Sequence, residues 1–331
     1  MKRPHQHWLK APRLAAALAA LSLSALTAPA VARTHSAEVA LTFDDLPSPT
    51  LNQSIANVTA INRDLLAGLR RHHMRATGFV NEGKLDAPDR AKRIALLRLW
   101  LRKGMDLGNH TYSHASPDKV GAAAYVADIA RGEPVTAGLL ATRGRTLHWF
   151  RHPYLETGSP APVRAQIDAW LQAHHYEVAP VTLQNSDWMF ADLYETALAK
   201  GDTAGAQHIR STYLDYTARM IDWYRAAAHS LFGRDIAYVF LLHDSRLNAD
   251  SLDALAALLK RDHMRVVTLD KAMRDPAYRT PDTYAGPDGI DWMERWSDSL
   301  HKAIDWSTYS DPPAAITAAY DKLESDNTPT H

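Results

Sequence analysis

Between residues 39 and 269 the chain repeats one unit: a short apolar run, a polar cluster at its end, then a helix-patterned stretch. The runs are Val39–Phe43, Ala76–Val80, Met105–Gly108, Thr146–Phe150, Glu177–Leu183, Ile236–Leu242 and Met264–Leu269. They are too short for buried helices, and the uncharged ones, such as Val39–Phe43 and Ala76–Val80, carry the mark of strands covered on both faces. Seven such strands alternating with helices predict a distorted seven-stranded parallel (β/α) barrel. Helices are expected over Ser54–His73, with Ile55, Val58, Ile61, Leu65, Leu66 and Leu69 on one face, then over Asp89–Lys103, Ala122–Thr142, Pro162–His174 and Leu252–Leu259, with another starting at Lys271. Ala191–Arg225 is a long helical insertion, read as a covering pair without chemistry. The organisation is a signal peptide over residues 1–32, the barrel over 33–275 and an extension over 276–331 that packs on it. Trp292, Trp296 and Trp306 in that extension are expected to pack rather than bind.

In parallel barrels the chemistry gathers at the carboxyl ends of the strands. The polar clusters stand there: Asp44 and Asp45 after the first run, His110 and His114 after the third, Arg151 after the fourth, Asp187 after the fifth, His243 after the sixth. A lone histidine at such a place is ordinary, whereas five segments converging on one rim are hard to explain by packing. Neighbouring aspartates share a site only where a strand ends and its backbone curls. Burying both is unfavourable unless a cation or strong donors face them. His110 and His114 are four apart, which on one helical turn makes neighbours of their side chains. With one carboxylate of the first strand they complete a His2Asp set for a divalent metal, zinc or else cobalt or another divalent ion.

A metal that activates water for attack on a carbonyl still needs a base, an oxyanion donor and an acid. The aspartate not spent on the metal can take the proton, and His243 can protonate a departing amine. Arg151 can hold the base ionised, the turn at Pro153 and Tyr154 exposes backbone N–H, and Asp187 can orient an imidazole such as His243.

Composition narrows the setting. Lys and Arg total 37 against 37 Asp and Glu, so the broad cationic field that nucleic acid or an anionic membrane calls for is missing. With no cysteine, a metal must be held by His, Asp or Glu, and no disulfide framework is available. Lys2, Arg3, Lys10 and Arg13 precede an Ala/Leu stretch ending near Leu26, and Ala30–Val31–Ala32 forms a small-x-small cleavage pattern. The expectation is a periplasmic or secreted protein, cleaved near Ala32, with no stable membrane anchor.

Thr42–Asp45, His110–His114, Arg151–Tyr154, Ser186–Trp188 and Leu241–Asp244 together resemble the motifs, in order, of the polysaccharide deacetylases of carbohydrate esterase family 4, over about residues 39–270. The resemblance implies a metal-dependent N-deacetylase acting on an N-acetylated carbohydrate. It implies Asp44 as base, Asp45, His110 and His114 as metal ligands, Tyr154 as oxyanion donor through its backbone, His243 as acid, Arg151 as tether of Asp44 and Asp187 as the group that tunes His243. One departure is Gln184, where the family's fourth motif often carries another aspartate. Two other readings keep these residues: a hydrolase of small non-sugar amides, and a catalytically silent carbohydrate-binding protein. Binding alone needs neither Asp44 nor His243.

Overall fold

The computed structural model describes residues 36–327, so the expected signal peptide and its cleavage point lie outside the described residues. Seven parallel strands form one sheet: β1 (Ala37–Leu46), β2 (Ala76–Val80), β3 (Asp106–Asn109), β4 (Trp149–Phe150), β5 (Glu177–Val178), β6 (Ala237–His243) and β7 (Met264–Val267). β1 is the axis. One of its edges pairs with β6 from Glu38↔Ala237 to Asp44↔His243. The other edge is shared, β7 taking Ala37 to Ala40 and β2 taking Leu41 to Leu46. From β2 the order continues β3, β4, β5.

The fifth apolar run does not stay a strand through Leu183. Pro180 has no N–H for the ladder, and the chain leaves β4 after Val178 and reaches β6 instead. Leu183 forms an isolated bridge with Phe240, the Thr182 and Leu183 N–H groups donate to the Val239 carbonyl at 3.1 Å each, and Leu241 N donates to Leu183 O at 2.9 Å. These bonds close the sheet into a distorted (β/α) barrel. The fourth run is likewise shorter than expected, with only Trp149 and Phe150 paired.

Helices cover the sheet in the order α1 (Ile55–Arg71), α2 (Arg90–Arg102), α3 (Pro117–Arg131), α4 (Pro134–Ala141), α5 (Ala161–Ala173), α6 (Asp187–Ala199), α7 (Thr203–Phe232), α8 (Arg246–Arg261), α9 (Leu269–Ala272), α10 (Trp292–Leu300) and α11 (Ala314–Asn327). α1 starts at the Ser54 cap and buries Val58, Ile61, Leu65, Leu66 and Leu69, as its periodicity predicts. The single helix expected over Ala122–Thr142 is two, α3 and α4, because Pro134 cannot continue the hydrogen bonding of a helix through Gly132. Gly132 has a second role. A Cβ there would stand 2.5 Å from the Thr111 carbonyl carbon, so only glycine lets α3 end against the loop that carries His110 and His114.

The extension packs on the barrel. Trp292 and Trp296 are 7% and 1% exposed, Trp292 N donates to Val181 O at 2.8 Å, and Trp306 lies on Trp223 at the surface. Buried Arg295 donates to the carbonyl of Leu155 (2.7 Å) and to Thr157 Oγ1 (3.0 Å). Gly289 lies so close to Tyr154 that a Cβ would overlap its carbonyl oxygen. Among the described residues no helix is long and apolar enough to cross a membrane.

Candidate metal and acid-base site

A cleft of about 630 Å³ opens at the carboxyl ends of the strands and is lined by Asp44, Asp45, His110, His114, Tyr154 and His243. Arg151 and Asp187 lie beneath this lining, 0% and 1% exposed. All eight residues singled out in the sequence therefore meet at one place.

The aspartates separate by a local break in β1. The strand runs on to Leu46, but its register with β2 shifts between Phe43 and Leu46, and Asp45 adopts φ 68°. An irregularity of this kind re-aims one side chain, so neighbours that would face opposite sides both reach the cleft. Asp44 meets Arg151, whose Nη1 lies 3.2 Å from its Oδ2. That guanidinium is itself fixed: Nε donates to Ala179 O (2.8 Å) and Nη2 to Thr42 Oγ1 (3.2 Å). Burial pushes the Asp44 carboxyl above its ordinary range, and Arg151 pulls against that shift.

His110 and His114 are not on a helical turn. Residues 110–115 form a loop in which Thr111 and His114 take φ 65° and 59°. The loop is held by its surroundings: Asn81 donates to the His110 carbonyl, Gly83 N to Tyr112 O (2.9 Å), Tyr112 N to Asp128 O (3.1 Å), and Asn109 Nδ2 to Ile129 O (3.0 Å). His110 Nδ1 donates to the Arg151 carbonyl at 2.8 Å, which fixes the tautomer and leaves Nε2 as the free lone pair. Burial lowers both imidazoles to about 4, so both are neutral near pH 7. Their rings lie 4.9 Å apart, and the Tyr154 ring covers His114 at 4.4 Å. Tyr154 takes φ 57°, ψ 7° in a tight turn, its side chain mostly exposed at the cleft edge.

Asp45, His110 and His114 each offer one ligand atom within 4.8 Å of the others. Asp45 Oδ1 is buried and makes no hydrogen bond among the described residues. A buried carboxylate oxygen without a hydrogen bond, facing two neutral imidazoles, suits a His2Asp metal site, so the residues fit a divalent ion. Lys84 Nζ also stands 2.9 Å from that oxygen, at an angle that makes no hydrogen bond to it, and donates to the Asp45 carbonyl at 3.2 Å. Burial pushes the Asp45 carboxyl up, but Lys84 and then the histidines outweigh it and hold it well below the usual range.

His243 is built the opposite way. Its Nδ1 donates to Asp187 Oδ1 at 2.8 Å and its main-chain N–H to Oδ2 at 2.7 Å, while Nε2 faces the cleft 3.9 Å from Asp45 Oδ2. Burial opposes the charge on this ring, yet the Asp187 carboxylate overrides burial and raises it to about 9. Asp187 in turn accepts from Asn248 (2.6 Å), whose Oδ1 accepts from the Tyr213 hydroxyl at 2.6 Å. Tyr213 belongs to α7, so the insertion expected to carry no chemistry helps to support the acid side. Periodicity marked Tyr213 only as a packed position.

Of the cleft's outer wall the sequence marked only Trp188 and Gln184, both within the fourth motif, and left the rest unnoticed. Trp188 stands at the rim with Tyr320 of α11 edge-on at 4.9 Å, beside Asp192, Glu195, Gln184 and Glu324. Burial, then Glu195, raises the Asp192 carboxyl to about 6. No spacing signal links residue 320 to residue 188; only the docking of α11 on α6 does.

Residues 32–169, under half of the chain, match the family described as polysaccharide deacetylase. A peptidoglycan-N-acetylglucosamine deacetylase of Bacillus cereus is 30% identical over 155 residues, covering 46% of this chain and 47% of that protein, so the match spans about half of the relative's length. Among solved structures, a family 4 carbohydrate esterase from Streptomyces lividans in complex with acetate is 22% identical, with TM-score 0.48 over 71% of this chain and 95% of that one. A polysaccharide deacetylase from Bacillus cereus is 17% identical, with TM-score 0.49 over 70% of this chain and 91% of that one. At TM-scores below 0.5 the fold rests on this chain's own strand order.

Proposed function

We propose, from the premise that residues 32–169 belong to the polysaccharide deacetylase family, that this protein is a metal-dependent hydrolase removing N-acetyl groups from a cell-envelope or extracellular carbohydrate. The observation that carries the reading is the pairing of environments across one cleft: Asp44 on Arg151 and His243 on Asp187, facing each other beside a His2Asp triad.

Asp45, His110 and His114 would hold the ion, zinc or else cobalt, which supplies Lewis-acid polarisation of the amide carbonyl and of water. The attacking water gives its proton to Asp44. Arg151 keeps that carboxylate ionised and aimed, while burial keeps it basic enough to accept. Oxygen bonds to the acetyl carbon, and the charge that develops on the carbonyl oxygen is met by the backbone N–H of the Tyr154 turn. The carbon–nitrogen bond then breaks as His243 Nε2 gives its proton to the leaving amine. Acetate and a free amino group result. Asp187 serves by keeping the imidazolium populated and its ring oriented.

Trp188 and Tyr320 at the rim favour a sugar ring over a small amide, since an aromatic edge offers an apolar face to pyranose C–H groups. Export is part of the proposal and rests on the composition of residues 1–32. The test is acetate release from peptidoglycan, chitin oligomers and acetylated exopolysaccharide, with and without added zinc or cobalt. Release from none of them, with or without metal, would defeat the reading; release only from small acetamides would move it to the non-sugar class.

A further inference from the structure

The turn after β2 brings a fixed positive charge to the triad. Gly83 N donates to Tyr112 O at 2.9 Å and Asn81 Nδ2 to the His110 carbonyl, so the turn over Glu82–Asp86 and the residue that opens it are fastened to the loop carrying His110 and His114. A Cβ at Gly83 would come within 2.6 Å of that Tyr112 oxygen, so this approach depends on glycine. The next side chain, Lys84, reaches back to Asp45, its ammonium 2.9 Å from Oδ1 and 3.2 Å from the main-chain oxygen. Asp45 Oδ1 is also the oxygen nearest His114 Nε2, at 3.8 Å, and so the one that faces the triad's centre. A univalent and a divalent cation are thus offered the same carboxylate oxygen.

We propose that Lys84 is a positioning residue acting as the triad's internal counter-ion: it neutralises Asp45 in the metal-free protein, must yield when an ion loads, and thereby sets the affinity of the site. Its side chain is 27% exposed, which gives the ammonium a route to solvent. Whether it swings out or remains nearby, the two cations repel, so every divalent ion loses affinity to the same degree. Ions that bind His2Asp sets weakly, such as magnesium and calcium, then drop out of range, whereas zinc remains bound.

The inference rests on the metal reading of Asp45, His110 and His114, and the experiment separates the two. Zinc, magnesium and calcium are titrated calorimetrically into the chelator-treated full chain, as wild type, Lys84→Met, Lys84→Gln and His114→Ala, and melting is followed with and without zinc. Both Lys84 variants are expected to bind zinc about tenfold or more tighter, the scale on which one neighbouring charge biases an ionic equilibrium. Metal-free, each melts below the wild type, because Asp45 has lost its counter-charge; zinc-saturated, each melts at or above it. That crossing is independent of turnover and would not arise from a general packing defect. Zinc affinity unchanged or weakened in both variants, with His114→Ala having lost zinc, overturns the role of Lys84 alone. Stoichiometric zinc in His114→Ala overturns the triad and the inference with it.

Discussion

Two sides of one cleft use the same side chain in opposite states. On one side His110 is buried and His114 half-buried, neither with a carboxylate in hydrogen-bonding contact, and the loss of water around the rings lowers both to about 4. On the other His243 is also largely withdrawn from water, yet Asp187 2.8 Å from its Nδ1 raises it to about 9. The difference teaches that burial alone does not decide what a histidine becomes. A carboxylate partner decides: His110 Nδ1 meets only a main-chain carbonyl and the ring stays neutral, as the proposed ligand must, whereas the Asp187 carboxylate on His243 Nδ1 keeps the proton of the proposed acid.

The contrast breaks most visibly if the two kinds of histidine are exchanged in effect. His114→Ala should lose most bound metal and with it nearly all activity, whereas His243→Ala should keep the metal and lose about 10²- to 10⁴-fold in turnover, the range of a positioned acid. Metal analysis beside acetate release checks both, and metal loss in His243→Ala would erase the distinction. Next in size is the division of labour between the aspartates. Asp44→Asn should retain the metal and fall by a similar about 10²- to 10⁴-fold, with no rescue by added zinc. Asp45→Ala should lose metal first and recover partly when metal is in excess. The reverse pattern would exchange their roles.

The smallest effect sharpens the comparison most. The proposed mechanism needs Asp44 ionised and His243 protonated, so the rate should fall in acid as Asp44 takes a proton and in base as His243 loses one. Burial raises Asp44, which moves the acid limb up from the ordinary carboxylate range. The basic limb is set by His243, near 9 in the metal-free protein; an ion on Asp45 removes one of the charges that raise it, so the loaded enzyme's limb lies below that value. Asp187→Asn removes the largest favourable charge and should move the basic limb down toward the ordinary 6.5, leaving metal content unchanged. A pH-rate profile with an unmoved basic limb would remove Asp187 from its role.

Much of this was legible in the sequence because the barrel repeats. Each apolar run ending in a polar cluster places that cluster on one rim, and the pairing of Asp44 with His243 across β1 and β6 follows from the fold alone. What was not legible depends on local backbone. Spacing suggested a helical turn for His110 and His114, but the loop takes its shape from Asn81, Asp128, Ile129 and Gly132, none of which carries chemistry. Nothing in the sequence singles out Lys84, and Tyr213 stands there only as a packed position of a helical pattern. Their contacts with Asp45 and Asn248 arise from tertiary neighbours 39 and 35 residues away, and no periodicity encodes such pairs.

The contacts of Gly289 and Arg295 with the Tyr154–Thr157 segment carry a consequence for how the protein comes into being. A ribosome makes all seven strands, and every proposed ligand, base and acid, before it makes the residues that pin this segment. The proposed metal ligands and proton-transfer groups are thus all in the chain before the residues that clamp the turn presenting the Tyr154 N–H. A chain interrupted after β7 would hold the chemistry of the cleft in outline while lacking the brace on that turn.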